Sequence, residues 1–185
     1  MRAGPRYGPL IGDGCRLPVK DGCLDLVVSS NVLEHVPDPS AFLREAVRVL
    51  KPDGLAYIAF TNWFSPWGGH ETSPWHYLGG DRAAARYERL WSLPPKNKFA
   101  ESLFAVHVGQ TLRWVREQPG LHLVDAFPRY LPRWTRPLLL VPGVPGVREV
   151  VTWNLVMILA PVADSRPLPR TLSGSTIDRP VAAVV

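Results

Sequence analysis

The stretch DLVVSSNVLEHVPDPSAFLREAVRVLKPDGLAYIAF, residues 25 to 60, constrains the fold more than any other part of the chain. Leu24 to Ser29 is a short valine-rich run, which suits a strand buried on both faces. Asp38-Pro39 reads as a helix N-cap followed by proline at the first helical position. Phe42, Ala46, Val49 and Leu50 then recur at helical spacing with Val47 alongside, and Arg44, Glu45 and Arg48 take the other side. Lys51-Pro52-Asp53-Gly54 reads as the stop: a basic last turn, a proline and a glycine turn. Leu55 to Thr61 is the next strand. Strand, helix and strand with tight connections form a βαβ unit, whose strands are parallel with a right-handed crossover. Ligands of such sheets bind at the carboxyl ends of the strands. Residues 29 to 35 follow one such end and residues 61 to 76 the next.

Beyond this unit, Asp81 to Trp91 and Gln110 to Gln118 have helical spacing, the second closed by Pro119-Gly120. Leu121 to Phe127 reads as a strand, and Val150 to Leu159 as a long one. Pro128 to Val147 is an apolar segment interrupted by proline, and no element is assigned to it. From about residue 162 the composition turns to Pro, Arg, Ser, Thr and small residues, so residues 162 to 185 read as a disordered tail.

Composition narrows the classes of function. None of the apolar runs reaches the roughly 18 residues that a membrane-spanning helix needs. Cys15 and Cys23 are too few for a disulfide framework and read as free thiols of a cytosolic protein. Ten Lys or Arg face five Asp or Glu between Asp81 and Arg136, while the remainder holds eleven of each, so this segment carries the whole net charge of +5. Such a patch attracts anionic substrates, lipid headgroups or nucleic acid. No recognition-helix or RNA-binding motif accompanies it, so nucleic acid is not expected as a partner.

Four stretches in order carry a resemblance: Gly12-Asp13-Gly14-Cys15-Arg16-Leu17-Pro18-Val19, Asp25-Leu26-Val27-Val28, Leu33-Glu34-His35-Val36 and Arg48-Val49-Leu50-Lys51-Pro52-Asp53-Gly54. Together they resemble the class I S-adenosylmethionine-dependent methyltransferases, and more narrowly the ubiquinone and menaquinone methyltransferase group. GGHETSPWHYLGG (residues 68 to 80), FPRYLPRW and WNLVMIL resemble an actinobacterial subgroup. The resemblance spans about residues 7 to 161, taken as a partial methyltransferase domain over 1 to 161. The fold it implies is α/β, Rossmann-like, with antiparallel strands toward the C-terminus.

The resemblance also implies roles at matching positions. Asp13 would accept a hydrogen bond from the adenine amino group of S-adenosylmethionine, and the Gly14 N–H would face an adenine nitrogen. Leu17 and Leu33 would supply apolar contact to that ring. Ser30 and Asn31 would lie near the methionine end. His35 takes the place of a histidine near the methyl-transfer region. The alternative for Asp13 is a turn residue in Gly-Asp-Gly, and for His35 a local packing role.

Methyl transfer from a sulfonium needs alignment and exclusion of water, and a base where the acceptor loses a proton. The candidate bases are His35, His70 and His76, the last two in the loop where this family builds its acceptor pocket. Trp63, Trp67, Trp75 and Tyr77 in that loop suit an apolar or planar small-molecule acceptor, or alternatively pack the loop onto the domain. His70, Glu71 and His76 depart from the HExxH spacing, and Pro74 opposes a helix, so no metal ligand set is read there.

Two features of the family have no counterpart: the first strand with its glycine-rich loop, and the strand ending in the acidic residue that grips the ribose. The chain therefore reads as N-terminally truncated, its first strand left as an apolar sheet edge. Three readings follow: part of a complete methyltransferase, a short protein whose sheet a second chain or a dimer completes (or a non-catalytic scaffold), and a peripheral membrane-binding module. The last rests on Arg129-Tyr130-Leu131-Pro132-Arg133-Trp134, where aromatics meet cations.

Overall fold

The computed structural model describes residues 9–132, 134, 135, 137 and 145–162. The tail read over 162 to 185 lies outside them except for Val162, as do Arg133 and Arg136 of the basic segment.

The βαβ unit forms as its sequence dictates. β1 (Leu24–Ser30) leads through a single 3-10 turn, Leu33–His35, into α1 (Pro39–Arg48). The Asp38 side chain accepts the Ala41 N–H at 2.9 Å, and Pro39 follows it, so cap and first turn match the expectation. α1 buries Phe42, Leu43, Ala46 and Val47 and leaves Arg44 exposed. β2 (Leu50–Thr61) runs parallel to β1.

One expectation about this unit is corrected. Lys51-Pro52-Asp53-Gly54 is not a turn that ends a helix ahead of the strand; the helix ends at Arg48 and β2 already begins at Leu50. Leu24 pairs with Leu50 and Leu26 with Leu55, so the four residues are an outward bulge in the strand. A proline is tolerated there because a bulged residue has no ladder bond to lose.

α2 (Gly80–Trp91) follows the loop after β2, and α3 (Val108–Glu117) precedes β3 (Leu121–Pro128). α4 (Pro145–Val151) precedes β4 (Asn154–Pro161). The long strand expected from Val150 to Leu159 therefore starts only at Asn154. Val150 and Val151, β-branched and strand-like in isolation, finish a short helix instead, a tertiary override of local propensity.

The sheet order is β1-β2-β4-β3, with β1 and β2 parallel and β4 antiparallel to both β2 and β3. This is a mixed α/β, Rossmann-like sheet with its antiparallel strands late in the chain. Alternate residues of the central strands, Ala56, Ile58 and Phe60 on β2 with Leu155, Met157 and Leu159 on β4, enter one core with Phe42, Leu43, Leu112 and Val115. That core fixes α1 and α3 in place, and with them the loops at the carboxyl ends of β1 and β2.

Candidate functional site

Residues 13 to 19 lie along α1. The carboxylate of Asp13 accepts the Cys15 N–H at 2.8 Å, an Asx turn, while the Asp13 residue itself is exposed. Gly14 is pressed onto Phe42: a Cβ there would stand 2.8 Å from its ring. Glu45 accepts the Leu17 N–H at 2.6 Å, and Arg48 donates to the carbonyls of Leu17 at 3.2 Å and Val19 at 2.9 Å. Arg48 also pairs with Glu45 and Asp21. The hydrogen bond from Arg48 holds the Glu45 carboxyl below its ordinary range, against the opposing effect of burial. Burial, with Asp13 nearby, pushes the Cys15 thiol up. Leu17 packs against the core edge, whereas Leu33 is fully buried within it.

At the carboxyl end of β1 the chain turns sharply. Asn31 takes a left-handed φ of 56°, and its N–H donates to Ala59 at 2.8 Å. Its side-chain oxygen accepts from Asn154 at 2.8 Å, and the Ser30 hydroxyl accepts from Arg129 at 2.8 Å. Ser30 and Asn31 are both exposed. β1, β4 and the end of β3 thus converge on these two residues through Asn154, which the sequence reading did not select, and Arg129, which it read only as part of a membrane-facing segment. Their signal was weak: each matters only through a contact about a hundred residues away along the chain.

The next turn brings Glu34 and His35 under the loop that follows β2. His35 lies 5.0 Å from His70, ring centre to ring centre, with the rings nearly perpendicular at 80°. His35 Nδ1 is 2.6 Å from the Ser102 carbonyl, so Nδ1 carries the hydrogen and donates it. Glu34 is buried, and its carboxylate accepts the Thr61 N–H at 3.0 Å. The sequence reading gave Glu34 no role.

His76 stands apart from that pair. It is 1% exposed, its Nε2 is 3.0 Å from the Trp63 carbonyl, and Trp63 meets its ring edge-on. Burial pushes its pKa down, so the imidazole is neutral. Glu71 is taken by Asn97, whose backbone and side chain donate to its two oxygens at 2.6 and 2.9 Å. Burial raises the Glu71 carboxyl, but these hydrogen bonds prevail and hold it below the ordinary range.

The loop aromatics divide. Trp63 is buried against His76 and Phe99 and packs the loop. Trp67 meets Trp153, Trp75 lies under the Arg86 guanidinium at 4.0 Å, and the Tyr77 hydroxyl donates to the Phe64 carbonyl. These three remain exposed. A cavity of about 230 Å³ lies between α1 and α3, lined by Leu43, Phe104, His107 and Trp114, and one of about 440 Å³ lies beside Arg16, Lys20 and Arg48. Neither is lined by His35 or His70.

Glu149 on α4 is another residue that sequence reasoning missed. Its two carboxylate oxygens accept the N–H groups of Val108 and Gly109, at 2.9 and 2.6 Å, at the start of α3. A negative group at a helix N-terminus is favourable. Its carbonyl accepts from Asn62, the first residue beyond β2. No helix among the described residues is long and apolar enough to cross a membrane.

Against known proteins, residues 2–58 match the family model described as "Methyltransferase domain". The chain is 46% identical over 167 residues to an "Uncharacterized methyltransferase" of Mycobacterium sp. strain KMS, covering 87% of this chain and 64% of that one. It is 47% identical over 161 residues to a protein of the same description from Mycolicibacterium gilvum, covering 86% and 61%. The chain thus spans about three fifths of the length of the curated relatives it matches. Among solved structures, the S-adenosylmethionine-dependent methyltransferase of Mesorhizobium loti is similar at 17% identity and a TM-score of 0.49, covering 80% of this chain and 66% of that one.

Proposed function

Given that residues 2–58 match a methyltransferase domain, we propose that the chain serves S-adenosylmethionine-dependent methyl transfer to a small apolar or lipid-like acceptor, of the kind handled by ubiquinone and menaquinone methyltransferases. The observation that carries this reading is the placement of Ser30, Asn31 and the His35–His70 pair in the segments that follow the carboxyl ends of two adjacent parallel strands. Ligands of open α/β sheets bind there.

The residues present fit the cofactor's chemistry. Asp13 is an exposed carboxylate, an acceptor matched to an amino group. Gly14 sits where no side chain fits. Ser30 and Asn31 are exposed polar groups for the amino-acid end. When bound, the cofactor supplies an activated methyl group on sulfur. The chain's own part is to align the acceptor, exclude water and take a proton where one is released. His35 suits the last role: its Nδ1 hydrogen is committed to Ser102, which leaves Nε2 with a lone pair. His70 faces it as a second candidate, and His76, sealed against Trp63, suits a packing role.

A partner chain that pairs with β1 belongs to the same proposal, because β1 has one sheet neighbour among the described residues. Peripheral contact with a membrane surface is a second reading, favoured by the exposure of Tyr130 and Trp134 beside Arg129.

Calorimetric titration of the 185-residue chain with S-adenosylmethionine tests the cofactor assignment. Binding should weaken roughly tenfold or more in Asp13→Ala, the loss of one hydrogen bond to a charged group. Equal affinity in that variant would remove Asp13 from the site, and no binding by a folded chain would defeat the reading for this chain alone.

A further inference from the structure

Glu34, His35 and His70 are brought together from two turns of the chain, and Glu34 and His70 each have a buried polar atom without a partner. One ligand-capable atom from each lies within 4.8 Å of the other two, the one such trio of His, Cys, Asp or Glu among the described residues. Glu34 is 1% exposed. One of its oxygens takes the Thr61 N–H, and the other is buried without a partner. A buried carboxylate oxygen left unpaired is costly, and that cost is relieved by a cation. The Nδ1 of His70 is likewise buried without a partner. His70 also sits in the left-handed region at φ 51°, which a side-chain-bearing residue rarely occupies away from functional positions.

His35 supplies an independent sign. Its Nδ1–H is spent on the Ser102 carbonyl at 2.6 Å, so the lone pair is on Nε2. A backbone carbonyl that fixes the tautomer and aim of a histidine is the usual outer support of a metal-bound imidazole. Thr61 does the same for Glu34. Two imidazoles and one carboxylate form the donor set of zinc centres with an open fourth position, and of other first-row divalent ions.

We propose that Glu34, His35 and His70 bind a divalent transition-metal ion, Zn2+ or a close relative, with at least one coordination position left for an exogenous oxygen or nitrogen ligand. Donors on a tetrahedral zinc ion stand about 3.4 Å apart, given bonds of about 2.0 to 2.2 Å. The trio therefore closes by little more than 1 Å on binding, a shift shared by three side chains on two single helical turns. The ion would lie where the loops after β1 and β2 meet, and would act there on an acceptor hydroxyl by lowering its pKa. The site stands on these residues whether or not the chain transfers methyl groups.

Zn2+ titration of the chelator-treated 185-residue chain tests the proposal, by calorimetry and by thermal shift, in a Cys15→Ser, Cys23→Ser background that removes thiolate binding. One equivalent should bind and raise Tm. His70→Ala, at a half-buried position, should fold and lose at least roughly 100-fold in affinity, more than the loss of an outer-shell partner alone brings. Glu34→Gln should lose the metal-induced rise in Tm, and Co2+ in place of Zn2+ should show the visible absorption of nitrogen and oxygen ligation. Wild-type affinity in His70→Ala, or no zinc-induced shift in the folded parent, would overturn the site.

Discussion

Residues 13 to 19 and residues 62 to 80 flank the same pair of parallel strands, yet they are held by opposite means. The first segment has no buried residue and is tied down by charge: Arg48 and Glu45 grip its backbone from one face of α1. The second is held by buried polar groups and by Gly68, Gly69 and Gly80, which have no space for a side chain. Asn62 and Ser65 are fully buried, and a Cβ on Gly68 would stand 1.9 Å from the Trp63 carbonyl. Charged clamps near water contribute little each and release readily. A closely packed loop gives way only when its neighbours move with it. The molecule thus places an adjustable flap on the side of Asp13 and a packed frame on the side of the histidine pair.

The largest effect should come from breaking the frame. Gly68→Ala forces a methyl group into the Trp63 backbone and should cost about 3 kcal/mol, read as a lower urea midpoint at unchanged slope. A cost below about 1 kcal/mol would mean that the loop yields, and the contrast would fail. A smaller effect is expected from releasing the flap. Arg48→Met should cost on the order of 1 kcal/mol. Amide exchange should speed up at residues 17 to 20 and stay unchanged over 62 to 80; faster exchange in both would show one cooperative unit.

The smallest effect concerns pH. The Glu45 carboxyl is held below its ordinary range by Arg48, so folding favours its ionised form. Its contribution is complete above an unfolded pKa of about 4.3 and is lost as pH falls through the lower folded value. Between about pH 5 and 3, the fall in stability should therefore be shallower in Glu45→Gln than in the parent, and an identical slope would detach Glu45 from the clamp.

The sequence made one half of this contrast readable and hid the other. Asp38-Pro39, the apolar spacing of α1 and the valine run of β1 are local signals, and the local signals prevailed in all three. Lys51 to Gly54 misled because proline and glycine usually end elements, and a bulge at the sheet rim is the exception. Val150-Val151 misled because β-branched residues look like strand when the carboxylate beside them, Glu149, has an unseen task under α3. At the site, His35 and His70 stood out by type and by position after a strand. Glu34 did not, since a glutamate on a turn is usually a solvated one. Only the fold shows that this one is sealed in with an oxygen unmatched.

The reach of Glu149 has a consequence for the order in which the molecule assembles. β1, α1 and β2 are neighbours in sequence and can close early, because short loops lose little entropy on closing. The clamp from Arg48 and Glu45 belongs to that early unit. Asn62 and the start of α3 meet Glu149 only across 87 and about 40 residues of chain. As the chain leaves the ribosome, the flap can thus be in place while the frame waits for the last strand and the short helix before it. On this ordering the side bearing the histidine pair takes its shape after the flap.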